Sequence, residues 1–228
     1  MVPGGPARGN VSGLFRSTEP AWNDQNLREP TQAVESPLFF SHVRAAAGPP
    51  IQQTNCHPFR FENWLFMHNG ALAGFGSVKR DLAFAVDSSL YPHIKGTTDS
   101  EVLFHLALTL GLREDPVAAM AKAIQLVESA GHEHGLDFPM QGTVAVSDGM
   151  TVWAFRYSSQ QQTRTLCSAA HGAAKTAGGG QRLAGDEVAV VTHPLHLSAS
   201  AVPQGECAVL RAGRRDCRPA PRHGRPPG

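Results

Sequence analysis

The chain has no apolar run approaching the ~18 residues that a membrane-spanning helix needs, so no membrane contact is expected. It has no excess charge of one sign. Lys and Arg number 20 against 19 Asp and Glu, a formal net charge of +1, which gives no electrostatic basis for binding nucleic acid or an anionic surface. Paired cysteines are absent too: Cys56, Cys167, Cys207 and Cys217 are widely spaced and form no CxxC. Residues 1–8 contain no apolar stretch of the kind that opens a signal peptide. Reduced thiols and a cytoplasmic location are the expectation. There is no GxGxxG and no phosphate-binding loop, so no nucleotide cofactor is expected, and no internal repeat is visible. What is present is a globular composition, 41% hydrophobic and 17% charged over 228 residues, long enough for one large core or two small ones.

The first ~35 residues are rich in Gly, Pro and polar groups without a sustained period, apart from a short strand candidate at Leu14, Phe15 and Arg16. Residues 37–44 and 64–68 are short apolar runs that read as strands, the second closed by the turn-prone pair Asn69-Gly70. Residues 77–90 carry a helical pattern. Thr98 followed three residues later by Glu101 is a capping box, and the helix behind it aligns Val102, Leu103, Leu106, Ala107 and Leu110 before Gly111 stops it. Pro116 opens a second helix through about Ser129, with Gly131 as its end. The period then changes. Residues 142–147 and 151–157 flank Asp148-Gly149 as a hairpin, and strands are predicted near 163–168, 187–192 and 207–210. Residues 173–185 read as a Gly/Ala-rich loop. The domain plan is an irregular start over 1–12, one domain over 13–212, and a disordered Arg/Pro/Gly tail over 213–228.

Several residues have functional and structural readings side by side. Arg44 ends an apolar strand and precedes three alanines and a glycine, so its guanidinium has room to grip a carboxylate bidentately; a strand-end arginine facing water fits equally. Asn69 and Gly70 can supply a side-chain amide and a backbone N–H to an oxyanion, or make an ordinary turn. Asp99 can meet a ligand ammonium, or complement the macrodipole at a helix start. His57 can shape a pocket or pack as a hydrogen-bonded core histidine. Cys56 reads as a spectator. His132 and His134 do not share a helix face at a spacing of i and i+2, so no metal site is expected there.

The ordered set His42-Val43-Arg44, Asn55-Cys56-His57-Pro58-Phe59, His68-Asn69-Gly70 and Thr98-Asp99-Ser100-Glu101 resembles the class II glutamine amidotransferase domain of the N-terminal-nucleophile hydrolases. The resemblance is to the small stand-alone branch that includes YafJ-type proteins and the γ-glutamyl amidohydrolases of thiol metabolism. Residues 20–24 and 146–149 also match that branch, and the likeness spans roughly residues 13 to 212. It implies an α+β fold, a four-layer α/β/β/α sandwich of antiparallel sheets. It implies that Arg44 binds the α-carboxylate of glutamine or a γ-glutamyl group and Asp99 its ammonium. Asn69 and Gly70 would form the oxyanion hole, with His57 and His68 as further substrate-binding candidates. No cofactor or metal is implied; a small-molecule substrate is, and a partner subunit is possible. The family nucleophile is a cysteine exposed by methionine removal, whereas residue 2 here is Val2. The expectation is therefore a chain without its nucleophile or first strands, inactive as written. The alternative is a catalytically dead homologue that binds a γ-glutamyl ligand or a protein partner.

Overall fold

The computed structural model describes residues 12–27, 36, 38–44, 49–162, 166–170, 188–191, 200–211 and 214–219. In chain order the elements are β1 (Phe59–Phe61), β2 (Trp64–Leu72), α1 (Phe75–Phe84), α2 (Asp99–Thr109), α3 (Pro116–Glu133), β3 (Met140–Ser147), β4 (Thr151–Ser158), β5 (Cys167–Ala170), β6 (Val188–Val191), β7 (Ser200–Ala201), β8 (Glu206–Arg211) and β9 (Arg214–Pro219). Six strands make one antiparallel sheet in the order β1-β2-β3-β4-β8-β9, and three make a second in the order β6-β5-β7.

Local chemistry explains most of these boundaries. Asp148 accepts from the N–H groups of Met150 and Thr151 (2.9 and 2.7 Å), and Gly149 at φ 92° supplies the left-handed step between β3 and β4. Thr98 caps α2 by accepting from Glu101 N–H at 3.2 Å. The capping box is only half closed, because the Glu101 carboxylate turns instead to the N–H groups of Lys95 and Gly96. Asp115 caps α3 through Val117 and Ala118, with Pro116 at its first position. α3 runs past the expected stop at Gly131. That glycine is buried under Pro139, which a Cβ would strike, so its smallness serves close packing rather than a turn.

The three helices cover one face of the large sheet. Phe66 of β2 stacks on Phe104 of α2 with ring centroids 5.1 Å apart, both wholly buried, each burial stabilising by roughly 2–3 kcal/mol. On the opposite face the paired alanines Ala154 and Ala208 meet Leu166 and Val202, which flank the small sheet. The class is α+β as expected. Among the described residues the layers are helix, sheet and sheet, and no second helical layer is seen.

Several expectations change. Leu14, Phe15 and Arg16 form no strand; Ser12 and Arg16 instead bond by side chain to the carbonyls of Asn63 and Pro58. Residues 38–44 join no ladder. Asn69-Gly70 is not a turn but the middle of β2, where Gly70 faces Gly142 across the ladder. Residues 214–219, expected in a structureless tail, form β9, since the edge of β8 offers unpaired backbone groups that composition alone does not reveal. The loop expected at 173–185 and the start at 1–11 lie outside the described residues.

Candidate active site

β1 pairs only with Trp64, Leu65 and Phe66, whereas β2 continues to Leu72. From His68 onward one edge of β2 therefore has no strand beside it among the described residues. Alternate residues of an antiparallel strand send their N–H and C=O to opposite edges. Leu72 N–H leaves the sheet and donates to Asp99 Oδ2 at 2.9 Å. By the same parity His68 and Gly70 also present their backbone groups to this open edge. The His42 ring engages the His68 backbone there. Between those two occupied places lies Gly70, which is solvent-exposed. The Asn69 side chain projects from the face turned away from the helices. Its amide makes no hydrogen bond among the described residues.

Asp99 stands at one end of this edge. Asp99, the first residue of α2, also accepts from Ser100 N–H at 2.7 Å and Ser100 Oγ at 3.1 Å. Arg44 follows His42 by two residues, and its Nη2 donates to the Pro49 carbonyl at 2.9 Å. Asn55, fully buried, ties the loops together. It donates to Pro50 O and Thr97 Oγ1 and accepts from Thr97 N–H.

The histidines lie behind this rim. His68 is 2% exposed and sits on the helix side of β2, with Nδ1 3.0 Å from Ser100 Oγ. Gly142 makes room for its ring, since a Cβ there would fall on the ring itself, whereas a Cβ on Gly70 would first strike the backbone of Gln141 and Gly142 and then come within 2.7 Å of Nε2. His57, 9% exposed, is held between the His42 ring (centroids 4.2 Å) and the edge of Phe59 (4.7 Å). Arg16 covers Phe59 at 5.4 Å and donates to Pro58 O. Burial keeps these rings neutral. It pushes His42 down to about 4, aided by His68, and His57 down to about 2, aided by His42, His68 and Arg44. His68 is lowered by burial, against the opposing pull of Asp99. Burial raises Glu101 despite its two backbone donors. Cys56 points its thiol at the carbonyls of Ser17 and Gln52 (3.4 and 3.5 Å). His132 turns to Glu128 and Leu136 O, whereas His134 bonds Asp81 at 2.7 Å, so the two rings have separate partners. No helix among the described residues is long and apolar enough to cross a membrane.

A family model described as glutamine amidotransferases class-II matches residues 25–221. The chain belongs to that family. It is 38% identical over 162 residues to the probable glutamine amidotransferase DUG3 of Saccharomyces cerevisiae, a match covering 63% of this chain and 45% of that protein. The chain thus spans under half the length of this curated relative. A glutamine aminotransferase class-II domain protein from Silicibacter pomeroyi superposes with a TM-score of 0.78 at 36% identity, over 96% of this chain and 90% of that one. The glutamine phosphoribosylpyrophosphate amidotransferase of B. subtilis matches at a TM-score of 0.51 and 16% identity, over 78% of this chain and 34% of that one, which shows a shared fold.

Within this amidotransferase domain, the structure brings Asp99 and Gly70 to one strand edge, with His42 on that edge and Arg44 two residues further on. His57 and His68 lie beneath that edge, with little surface for a ligand to touch. Sequence reading passed over Ser100, Asn55 and Arg16. All three sit in or near the motifs already singled out, but their partners are 32 to 42 residues away, so only the fold connects them.

Proposed function

We propose that the chain binds the glutamyl end of glutamine or a γ-glutamyl compound along the open edge of β2 and serves the hydrolysis of its γ-amide. One observation carries this reading. Leu72 N–H bonds Asp99 outside the sheet, and strand parity then turns the exposed Gly70 N–H to the same side. In the proposed pose Arg44 takes the α-carboxylate and Asp99 the α-ammonium. Gly70 N–H and the Asn69 amide meet the γ-carbonyl oxygen, where negative charge develops when a nucleophile adds to the carbon. His57 and His68 support this rim and do not touch the ligand. A hollow of about 220 Å³ lined by Ala71, Ala73, Phe138, Met140, Gln141, Ser158 and Gln160 begins one residue beyond Gly70. It leaves space for a substituent on the amide nitrogen, which favours γ-glutamyl compounds beside glutamine itself.

The proposed setting is cytoplasmic, and a partner subunit that consumes the released amine is compatible with it. Calorimetric titration with L-glutamine tests the receptor assignment, and an ammonia assay run beside it tests the hydrolysis. Saturable binding is the expected result. Failure to bind glutamine or any γ-glutamyl amide would remove the assignment of the edge as a receptor.

A further inference from the structure

We propose that Ser100 and His68 form a buried link that fixes the Asp99 carboxylate relative to Gly70 and so makes the site selective for ligands with an α-ammonium group. The inference rests on the reading of Asp99 as the ammonium receptor and adds to it the device that positions the carboxylate.

The bonds are on both sides of the carboxylate. Oδ2 is held by Leu72 N–H at 2.9 Å, and Oδ1 by Ser100 N–H at 2.7 Å and Ser100 Oγ at 3.1 Å. Ser100 is 4% exposed, and its Oγ lies 3.0 Å from Nδ1 of His68, itself 2% exposed. When the Ser100 hydroxyl donates to Asp99, its lone pairs are left to accept from His68 Nδ1–H. The His68 ring is seated against Gly70 and Gly142, where neither residue has a Cβ to displace it. A continuous path therefore runs from Gly70 through His68 and Ser100 to Asp99. Ser100 and His68 are positioning residues: neither reaches the ligand, but together they set the distance between the oxyanion donor and the ammonium acceptor. A carboxylate fixed at both oxygens loses little freedom on meeting a cation, so it discriminates strongly between ligands that carry one and ligands that do not.

The test compares two ligands on the same chain by calorimetry. L-Glutamine has the α-ammonium; glutaramate has the same amide and carboxylate without it. Ser100→Ala removes one buried oxygen and suits a helix, so the fold is expected to survive. Its affinity for glutamine should fall about tenfold while that for glutaramate stays within about twofold, the size expected for one hydrogen bond to a charged group. Ser100→Thr, which keeps the hydroxyl, should restore the preference. If Ser100→Ala keeps the wild-type preference, or weakens both ligands alike as a structural role would, the link is refuted while Asp99 keeps its role. If the wild-type chain itself does not prefer glutamine, the Asp99 assignment fails and the link fails with it.

Discussion

The two ends of the proposed receptor are built differently. Asp99 stands on a capped helix; one carboxylate oxygen is bonded to the strand that carries Gly70 and the other to Ser100 of its own helix. Arg44 stands on a segment that joins no ladder. Its ties include the bond from Arg44 to the Pro49 carbonyl, the engagement of the His68 backbone by the His42 ring, and the packing of His42 on His57. Directional bonds between fixed elements leave little freedom, whereas ring stacking tolerates small shifts. The proposed ammonium end is thus pre-set, and the proposed carboxylate end is held with more freedom.

Acid should break the Arg44 end first, and this is the largest effect expected. The folded rings of His42 and His57 hold a proton less tightly than unfolded histidine, with values near 4 and 2 against 6.5. Between pH 6.5 and about 4 the unfolded chain therefore binds more protons, and stability falls as pH falls through that window; above it the contribution is fully present. Over that window two such rings amount to a loss of roughly 7 kcal/mol. Denaturant unfolding at several pH values would show it, and His57→Phe, which keeps the ring packing, should flatten the slope. An acid-insensitive stability would mean that these histidines are not buried neutral.

The pre-set end has its own weak point at Gly142. A Cβ there falls on the His68 ring, so Gly142→Ala should cost about 3 kcal/mol and displace the ring that supports Ser100. The expected pattern is lower stability together with loss of preference for the α-ammonium. Stability unchanged from wild type would show that the ring is free to move, and the contrast between the two ends would vanish.

Much of this contrast was legible in the residues, but not its reason. The cap at Thr98, the helix start at Pro116 and the Asp148-Gly149 turn are local chemistry and read correctly. Asn69-Gly70 misread as a turn because its local preference is overruled by pairing: Gly70 lies opposite Gly142, whose identity matters only once β2 and β3 are side by side. The β1 hairpin was passed over for a related reason. Its turn puts Glu62 at φ 53°, a residue that advertises no left-handed backbone. Arg44 and Asp99 were singled out in the sequence as candidate ligand contacts, whereas Ser100 and His42 stood in the same motifs without a role, because their contacts appear only across the fold. Composition marked the end of the chain as structureless and could not register the vacant edge that β9 fills.

Charge removal at the fixed end comes next in size. Asp99→Asn keeps an acceptor for Leu72 N–H and removes the negative charge, so the fold should persist while glutamine affinity drops by about 2 kcal/mol. Glutaramate affinity should hold or rise slightly. Equal losses for both ligands would point to a distorted strand end instead of a lost ion pair.

Arg44→Lys is the gentlest perturbation and the one that sharpens the comparison most. Lysine keeps the charge and gives up the planar fork, so a bidentate grip on the α-carboxylate becomes a single contact. On a rigid support the shorter, differently shaped group would miss its target and the loss would be large. On a segment held by stacked rings the chain can move to restore one bond. The expected loss of glutamine affinity is therefore only about 1 kcal/mol, and in hydrolysis assays the same change should raise KM more than it lowers kcat. A loss matching that of Asp99→Asn would mean that the Arg44 segment is as fixed as α2, despite lacking a ladder to hold it.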